Sequence, residues 1–337
     1  MTVEKILSFL DFIELQHLRR TCHTANIYVA DFHRRAYNIS HILLPYLSDD
    51  EIKQFRGIQA STGMVISGSS ALQFFNRETY DTEHHHPDLD TYCLLGKCDV
   101  VGRWLLSTGY EYHPRRNQLQ SFQDDFDKKQ STSNTPADTD LASEHYPSRT
   151  FIAVWNFVRN NRTIQLIAAR VSVVDTVLAF HSTCVMNLIT HRAAYCLFAR
   201  ATLIDHVSFD FNGRLNDINY APIFQKWFDR GFAISHCPPV KDLVYSTSGF
   251  SLGGYRWVGD KACWKIELDD HARYPDLDTI ECNSWNICYR PSRVSIKTFR
   301  FQPQPLVHGI IVARQERRYL RENYDYLLLA FAEEDFE

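Results

Sequence analysis

No stretch of this 337-residue chain approaches the roughly 18 consecutive apolar residues that a helix needs to cross a bilayer, and the N-terminal stretch carries Glu4 and Asp11 where a signal peptide would have none. The expectation is no membrane partner and an intracellular home, cytoplasmic or nuclear. Excess positive charge is lacking too. Lys and Arg number 36 against 40 Asp and Glu, a formal −4, so charge does not indicate nucleic acid as a partner. Nine cysteines, at 22, 93, 98, 184, 196, 237, 263, 282 and 288, include no Cys-x-x-Cys pair. Neither a zinc knuckle nor a disulfide framework is expected, and Cys184 and Cys196, among apolar neighbours, read as small buried thiols. The glycine-rich stretch 248–254 has no Gly-Lys-Ser/Thr after it and is therefore not a phosphate loop. A disordered composition is missing as well: 45% hydrophobic and 13% aromatic residues suffice for one large core or two modest ones.

What the chain does have is Val65-Ile66-Ser67-Gly68-Ser69-Ser70, a short amphipathic segment, and then Pro87-Asp88-Leu89-Asp90-Thr91-Tyr92. Side chains alternate along a strand, so Asp88 and Asp90 point one way and Leu89 points into the core. Two converging carboxylates repel each other unless a divalent cation lies between them. Mg²⁺ suits carboxylate oxygens combined with substrate phosphates. Gly68 lets backbone approach a phosphate, and the amides of Ser69 and Ser70 open a helix whose N-terminus attracts anions. Together these parts suit metal-assisted displacement at phosphorus. Pro275-Asp276-Leu277-Asp278-Thr279 repeats the acidic pentapeptide without a Gly-Ser turn upstream at the matching distance, and reads as a loop. His84-His85-His86 invites a metal reading, but adjacent side chains of an extended segment point to opposite sides, so this run reads as a polar loop at the mouth of the site.

On its Gly-Ser turn and Asp-x-Asp strand, the region of about 60–200 resembles the nucleotidyltransferase superfamily. The resemblance implies that Asp88 and Asp90 are catalytic and hold Mg²⁺, and that Gly68, Ser69 and Ser70 bind a nucleoside triphosphate. A later segment is similar to the helix that backs the active strands in such enzymes. Asp175 would cap it, with Val177, Phe180, Cys184 and Leu188 as its apolar stripe, and it is expected to run to about residue 200. The chain departs from the family at the third acidic position. The strand Thr163-Ile164-Gln165-Leu166-Ile167 offers Gln165, which brings no negative charge and cannot act as a general base. Transfer would be impaired.

At the N-terminus, Val3, Ile6, Leu7 and Leu10 recur at helical spacing, Asp11 interrupts, and Leu15, Leu18 and Cys22 resume. The spacing predicts a small helical hairpin. Residues 6–22 look like an F-box, the module that docks substrate receptors onto a ubiquitin-ligase adaptor, although the usual leading Leu-Pro is absent. That resemblance makes Ile6, Leu7, Leu10, Leu15 and Leu18 the adaptor-binding residues. The same helices would equally serve by packing on the main body. As a whole the chain resembles fungal proteins that join an F-box-like start to a nucleotidyltransferase-like core.

The fold class expected is α+β: a nucleotidyltransferase-like mixed sheet with helices over 48–232, preceded by the helical segment 1–47 and followed by a smaller α/β region over 233–337. Short helices are expected over 39–46 and 49–54, a strand over 64–67, and a helix over 99–107. Ser-, Thr- and Gln-rich 113–149 reads as a mobile loop or insertion. Strands follow over 150–158 and 162–168, turning at Arg159-Asn160-Asn161, then a helix over 221–229. Farther on, strands are expected at 256–258, 263–268, 286–289 and 295–301, and a closing helix over 319–331. Three functions fit: an active nucleotidyltransferase, a nucleotide- or protein-binding pseudoenzyme on that fold, and a ubiquitin-ligase receptor.

Overall fold

The computed structural model describes residues 3–78, 80, 86–132, 150–211, 213–244, 249–251, 255–268, 279–290 and 293–299. The chain starts with three helices where two were expected: α1 (Val3–Ser8), α2 (Phe12–Arg19) and α3 (His23–Ala36). Asp11 begins α2 with a capping box: its carboxylate accepts the Glu14 amide at 2.8 Å, and the Glu14 side chain accepts the Asp11 amide at 2.9 Å. Val29 and Phe32, one turn apart on α3, close a small core over Leu7 and Leu15, with Leu10 and Leu18 at its margin. Of the five residues named for adaptor binding, Leu7 and Leu15 are buried and hold the helices to one another, and Ile6 is half-exposed.

Next come α4 (Ser40–Leu43) and α5 (Asp49–Thr62). The latter starts from a second capping box, Ser48 with Glu51, and runs past its expected end to Gly63, whose φ of +70° closes it. Strand β1 (Val65–Ile66) leads into α6 (Gly68–Asn76), and β2 (Leu89–Leu94) into α7 (Leu95–Ser107). Then β3 (Glu111–His113) precedes α8 (Phe122–Thr132), a helix inside the stretch expected to be a loop. Its Phe122 packs on Gly102 of α7, and its buried Asp125 accepts the Trp155 indole N–H at 2.8 Å and the Leu119 amide at 3.0 Å. Strands β4 (Phe151–Arg159) and β5 (Arg162–Ala169) form the expected hairpin, with Asn160 and Asn161 both at positive φ, as a tight two-residue turn requires.

The long helix expected over 175–200 is not formed. α9 (Val173–Leu178) is short and is capped by the Ser172 hydroxyl, not by Asp175. The chain then gives β6 (Asn187–Ile189), β7 (Ala193–Cys196) and α10 (Ala199–Leu203). Nearly every side chain over 183–199 is buried, and Thr183, Val185, Ile189 and Thr190 are β-branched. A segment covered on both sides reads as a continuous apolar run, which periodicity alone cannot tell from a buried helix. β8 (Val207–Phe209), α11 (Ala221–Asp229), β9 (Ala233–Ser235), α12 (Val240–Val244), β10 (Tyr255–Trp257), β11 (Trp264–Glu267), β12 (Ser284–Arg290) and β13 (Arg293–Phe299) complete the described elements.

Eight strands make one mixed sheet in the order β11-β7-β6-β1-β2-β5-β4-β3. Within it β2 and β5 are parallel and the other neighbours antiparallel. Successive residues serve opposite faces. Ile66, Leu89, Leu166 and Ala194 belong to one apolar layer; Val65, Tyr92, Ile167 and Tyr195 belong to the other. β11 comes from the region assigned to a separate C-terminal unit, so the main sheet crosses the expected boundary at 232/233. Trp264 on β11 also holds the N-terminal helices. Phe12 stacks on its ring at 4.6 Å, and His33, Tyr37 and Phe75 surround it at 5.2–6.4 Å. His84, His85, residues 133–149 of the expected loop, most of the second acidic pentapeptide and the segment 319–331 expected to be a helix lie outside the described residues.

Candidate functional site

Ser67 follows β1 and fixes the turn on both sides. Its amide donates to the Asp90 carbonyl at 3.1 Å, and its hydroxyl donates to the Asn187 carbonyl at 2.5 Å. Gly68 follows with φ +67°, a conformation natural to glycine, and opens α6. A Cβ on Gly68 would stand 2.6 Å from Asp90 Oδ2, inside van der Waals contact. The Ser70 hydroxyl donates to the Asp88 carbonyl at 3.2 Å. The Gly-Ser turn and the acidic pair are therefore in direct contact, with Ser69 half-buried and Ser70 buried in the first turn of the helix.

Gln165 stands beside the pair. It is the register partner of Asp90 in the parallel β2–β5 ladder, and its Nε2 donates to Asp88 Oδ2 at 2.8 Å. On the other side of β5, Gln165 is paired with Asn156 of β4, which is paired with His113 of β3. Residues directly opposite one another share a face, so Asp90, Gln165, Asn156 and His113 form a polar row across four strands. Arg115 donates to Asn156 Oδ1 at 3.2 Å and sits at the far end of that row.

Burial and the Asp88 charge push Asp90 up to about 7, and Lys226 and Arg115 act in the opposite direction. Lys226 lies on α11, half-buried. Desolvation and Arg230 lower its pKa, while Asp90 and Asp88 raise it. Arg230, just past the end of α11, lies 3.6 Å from the Tyr80 ring centre and 4.9 Å from that of Trp227. Among the described residues its Nη1 and the Trp227 indole N–H have no hydrogen-bond partner. Lys226 is thus the α11 cation coupled to the acidic pair, while Arg230 is coupled to Tyr80, Cys184 and Glu78. Sequence reasoning missed Arg115, Asn156, Lys226 and Arg230; the one signal available was the four-residue spacing of Lys226 and Arg230, which places them on one helical face.

Among the described residues no group of three or more His, Cys, Asp or Glu side chains gathers to hold an ion. Asp88 and Asp90 are the two carboxylates that could hold a cation here, and Mg²⁺ commonly takes one or two carboxylates and completes its shell with phosphate oxygens and water. Elevation of the Asp90 pKa by its neighbour's charge is a repulsion that a bound cation would relieve. His86 is the one histidine of its run among the described residues and is half-buried two residues before Asp88. No family model, no curated protein and no solved structure matches this chain.

Proposed function

We propose that this protein binds a nucleoside triphosphate with Mg²⁺ at the Gly68–Asp88–Asp90 cleft of a nucleotidyltransferase-like core, and that Gln165 impairs transfer. The observation that carries the reading is the contact between Gly68 and Asp90. It brings the bare backbone that opens α6 against one of two neighbouring carboxylates, and a helix N-terminus with its free amides is where phosphate oxygens are held. Mg²⁺, when bound, would neutralise phosphate charge and polarise the phosphoryl group. Asp88 and Asp90 hold it, Lys226 and Arg230 balance the negative charge of the phosphates, and Gln165 orients Asp88 through its 2.8 Å hydrogen bond. An amide at that position cannot accept a proton from an attacking hydroxyl, so binding survives where transfer is slow or lost.

Titrating the protein with ATP and Mg²⁺, and repeating the titration with Asp88→Asn/Asp90→Asn, tests the site. Metal-dependent binding that vanishes in the double variant supports it; binding that persists unchanged rejects it. Pyrophosphate release that appears or rises in Gln165→Asp would show that the missing charge limits transfer.

A second reading rests on a different surface. Val3, Ile6 and Phe9 are 46%, 47% and 74% exposed around α1, apolar side chains set on a small self-contained helical core. That surface supports a ubiquitin-ligase receptor in which the N-terminal helices meet an adaptor and the large domain binds a target protein. The two readings are compatible.

A further inference from the structure

A groove of about 360 Å³ runs along the face of α6 that points away from the acidic cleft. Ser70, Gln73, Phe74 and Arg77 line it at spacings of three and four, one stripe of the helix about 10 Å long. The end of α3, α4 and the segment after it form the opposite wall. Phe74, Tyr46 and Leu89 belong to one apolar layer of the sheet, whereas the polar row of Asp90, Gln165 and Asn156 alternates with Tyr92, Ile167 and Val154 of the other. The groove and the cleft therefore stand back to back, with the first turn of α6 and residues 87–88 between them.

Arg77 dominates the groove chemically. It ends α6 in the left-handed region, at φ +58°, where a long side chain is disfavoured. Its guanidinium is held in advance: Nη2 donates to the Leu10 carbonyl at 2.9 Å, and the group lies 5.5 Å and 5.8 Å from the ring centres of Phe32 and Tyr37. Among the described residues Nη1 has no hydrogen-bond partner. Arg162 brings a second guanidinium to the same lining, and among the described residues Glu78 is its one carboxylate. Two guanidiniums in one lining, an oriented fork and a volume suited to a small ligand have one chemistry in common.

We infer that this groove is a binding site for a small organic anion, a phosphate monoester or a dicarboxylate, whose oxyanion group docks on Arg77. The site also has a route to the cleft behind it. Two side chains of its lining hold the backbone that delivers Asp88: the Tyr46 hydroxyl donates to the Pro87 carbonyl at 2.5 Å, and the Ser70 hydroxyl donates to the Asp88 carbonyl at 3.2 Å. An anion in the groove touches both and thereby biases the position of Asp88. This coupling rests on the nucleotide reading above; the anion site does not.

Calorimetric titration of the full chain with ribose 5-phosphate and with malate, using ribose as the neutral control, tests the site. At least one anion should bind saturably, with a Kd of about 1 mM or tighter, and ribose should not. The tighter of the two anions assigns the class. Arg77→Gln should weaken binding tenfold or more. Because Arg77 also supports the N-terminal helices, His41→Trp provides an independent check: it fills the exposed rim of the groove, leaves Arg77 intact and should block the same anion. Absence of saturable binding by either anion, or unchanged binding in His41→Trp, overturns the site. For the coupling, the affinity for ATP with Mg²⁺ is measured with and without saturating anion, and a change of about fivefold or more is expected. An unchanged ATP affinity overturns the coupling alone. If ATP binds under neither condition, the nucleotide reading falls together with the coupling, and the anion site stands on its own titration.

Discussion

Gly68 meets two requirements at once, and each can be tested by the same substitution. A Cβ at that position is disfavoured by φ +67° at a cost of about 1–2 kcal/mol, and it would also press on Asp90 Oδ2. Gly68→Ala should therefore lower Tm and reduce Mg²⁺-dependent ATP binding by at least tenfold; an alanine variant that binds ATP as wild type does would separate the turn from the site. Asp90 adds a pH signature. Its folded pKa is raised to about 7, above the ordinary carboxylate range near 4, so the unfolded chain gives up this proton more readily. The stability withheld by Asp90 is accordingly small at acid pH, grows as pH rises through that window and is largest above 7. Asp90→Asn should raise Tm at pH 8 in the absence of Mg²⁺, by about 2–4 °C for each kcal/mol relieved, and the gain should shrink at pH 5. At this scale Asp88, Asp90, Gly68 and Gln165 were legible, because strand alternation and a turn residue are local properties. Lys226, Arg230, Arg115 and Asn156 were not, since they join the site through pairings between distant segments.

The elements most visible in the sequence were those whose pattern has a single cause. Arg159-Asn160-Asn161 marked the β4–β5 hairpin because asparagine tolerates positive φ, and 221–229 reads as a helix because its apolar side chains fall on one face. Where both sides of a segment are buried, as in β6 and β7, the pattern loses its period and the helix expected there was wrong. α8 was hidden for the opposite reason: a polar helix held by Phe122, Phe126 and the Asp125–Trp155 hydrogen bond resembles the loop composition around it. Strand β11 was foreseen as a strand but not as the edge of the main sheet. That placement makes Trp264 a joint between the sheet and the N-terminal helices. Trp264→Ala should cost about 3–5 kcal/mol, and limited proteolysis should then cut between the N-terminal helices and the body before it cuts the sheet. Cleavage in the wild-type order would show that the helices are anchored elsewhere.

Across the described residues, the main sheet draws strands from residues 65 to 267, past the expected boundary at 232/233, and is gripped by the N-terminal helices at its β11 edge, while β10, β12 and β13 form the smaller C-terminal sheet that was expected. The adaptor reading is changed accordingly. Leu7 and Leu15 are interior, so substituting them would test folding, whereas Ile6→Glu alters a half-exposed position. Ile6→Glu should abolish capture of the ligase adaptor in a pull-down and leave Tm nearly unchanged; capture at wild-type level would remove α1 from the contact. The strand order also governs how the chain matures on the ribosome. β1, which carries the Gly68 turn, lies between β2 and β6, so it is not flanked on both sides until Ile189 has been synthesised, and the border of the sheet is not laid down until Glu267. Closing such distant pairings is slow. The nascent protein therefore spends much of its translation with its acidic pair incompletely framed, and a stop before residue 264 leaves the N-terminal helices without the tryptophan they grip.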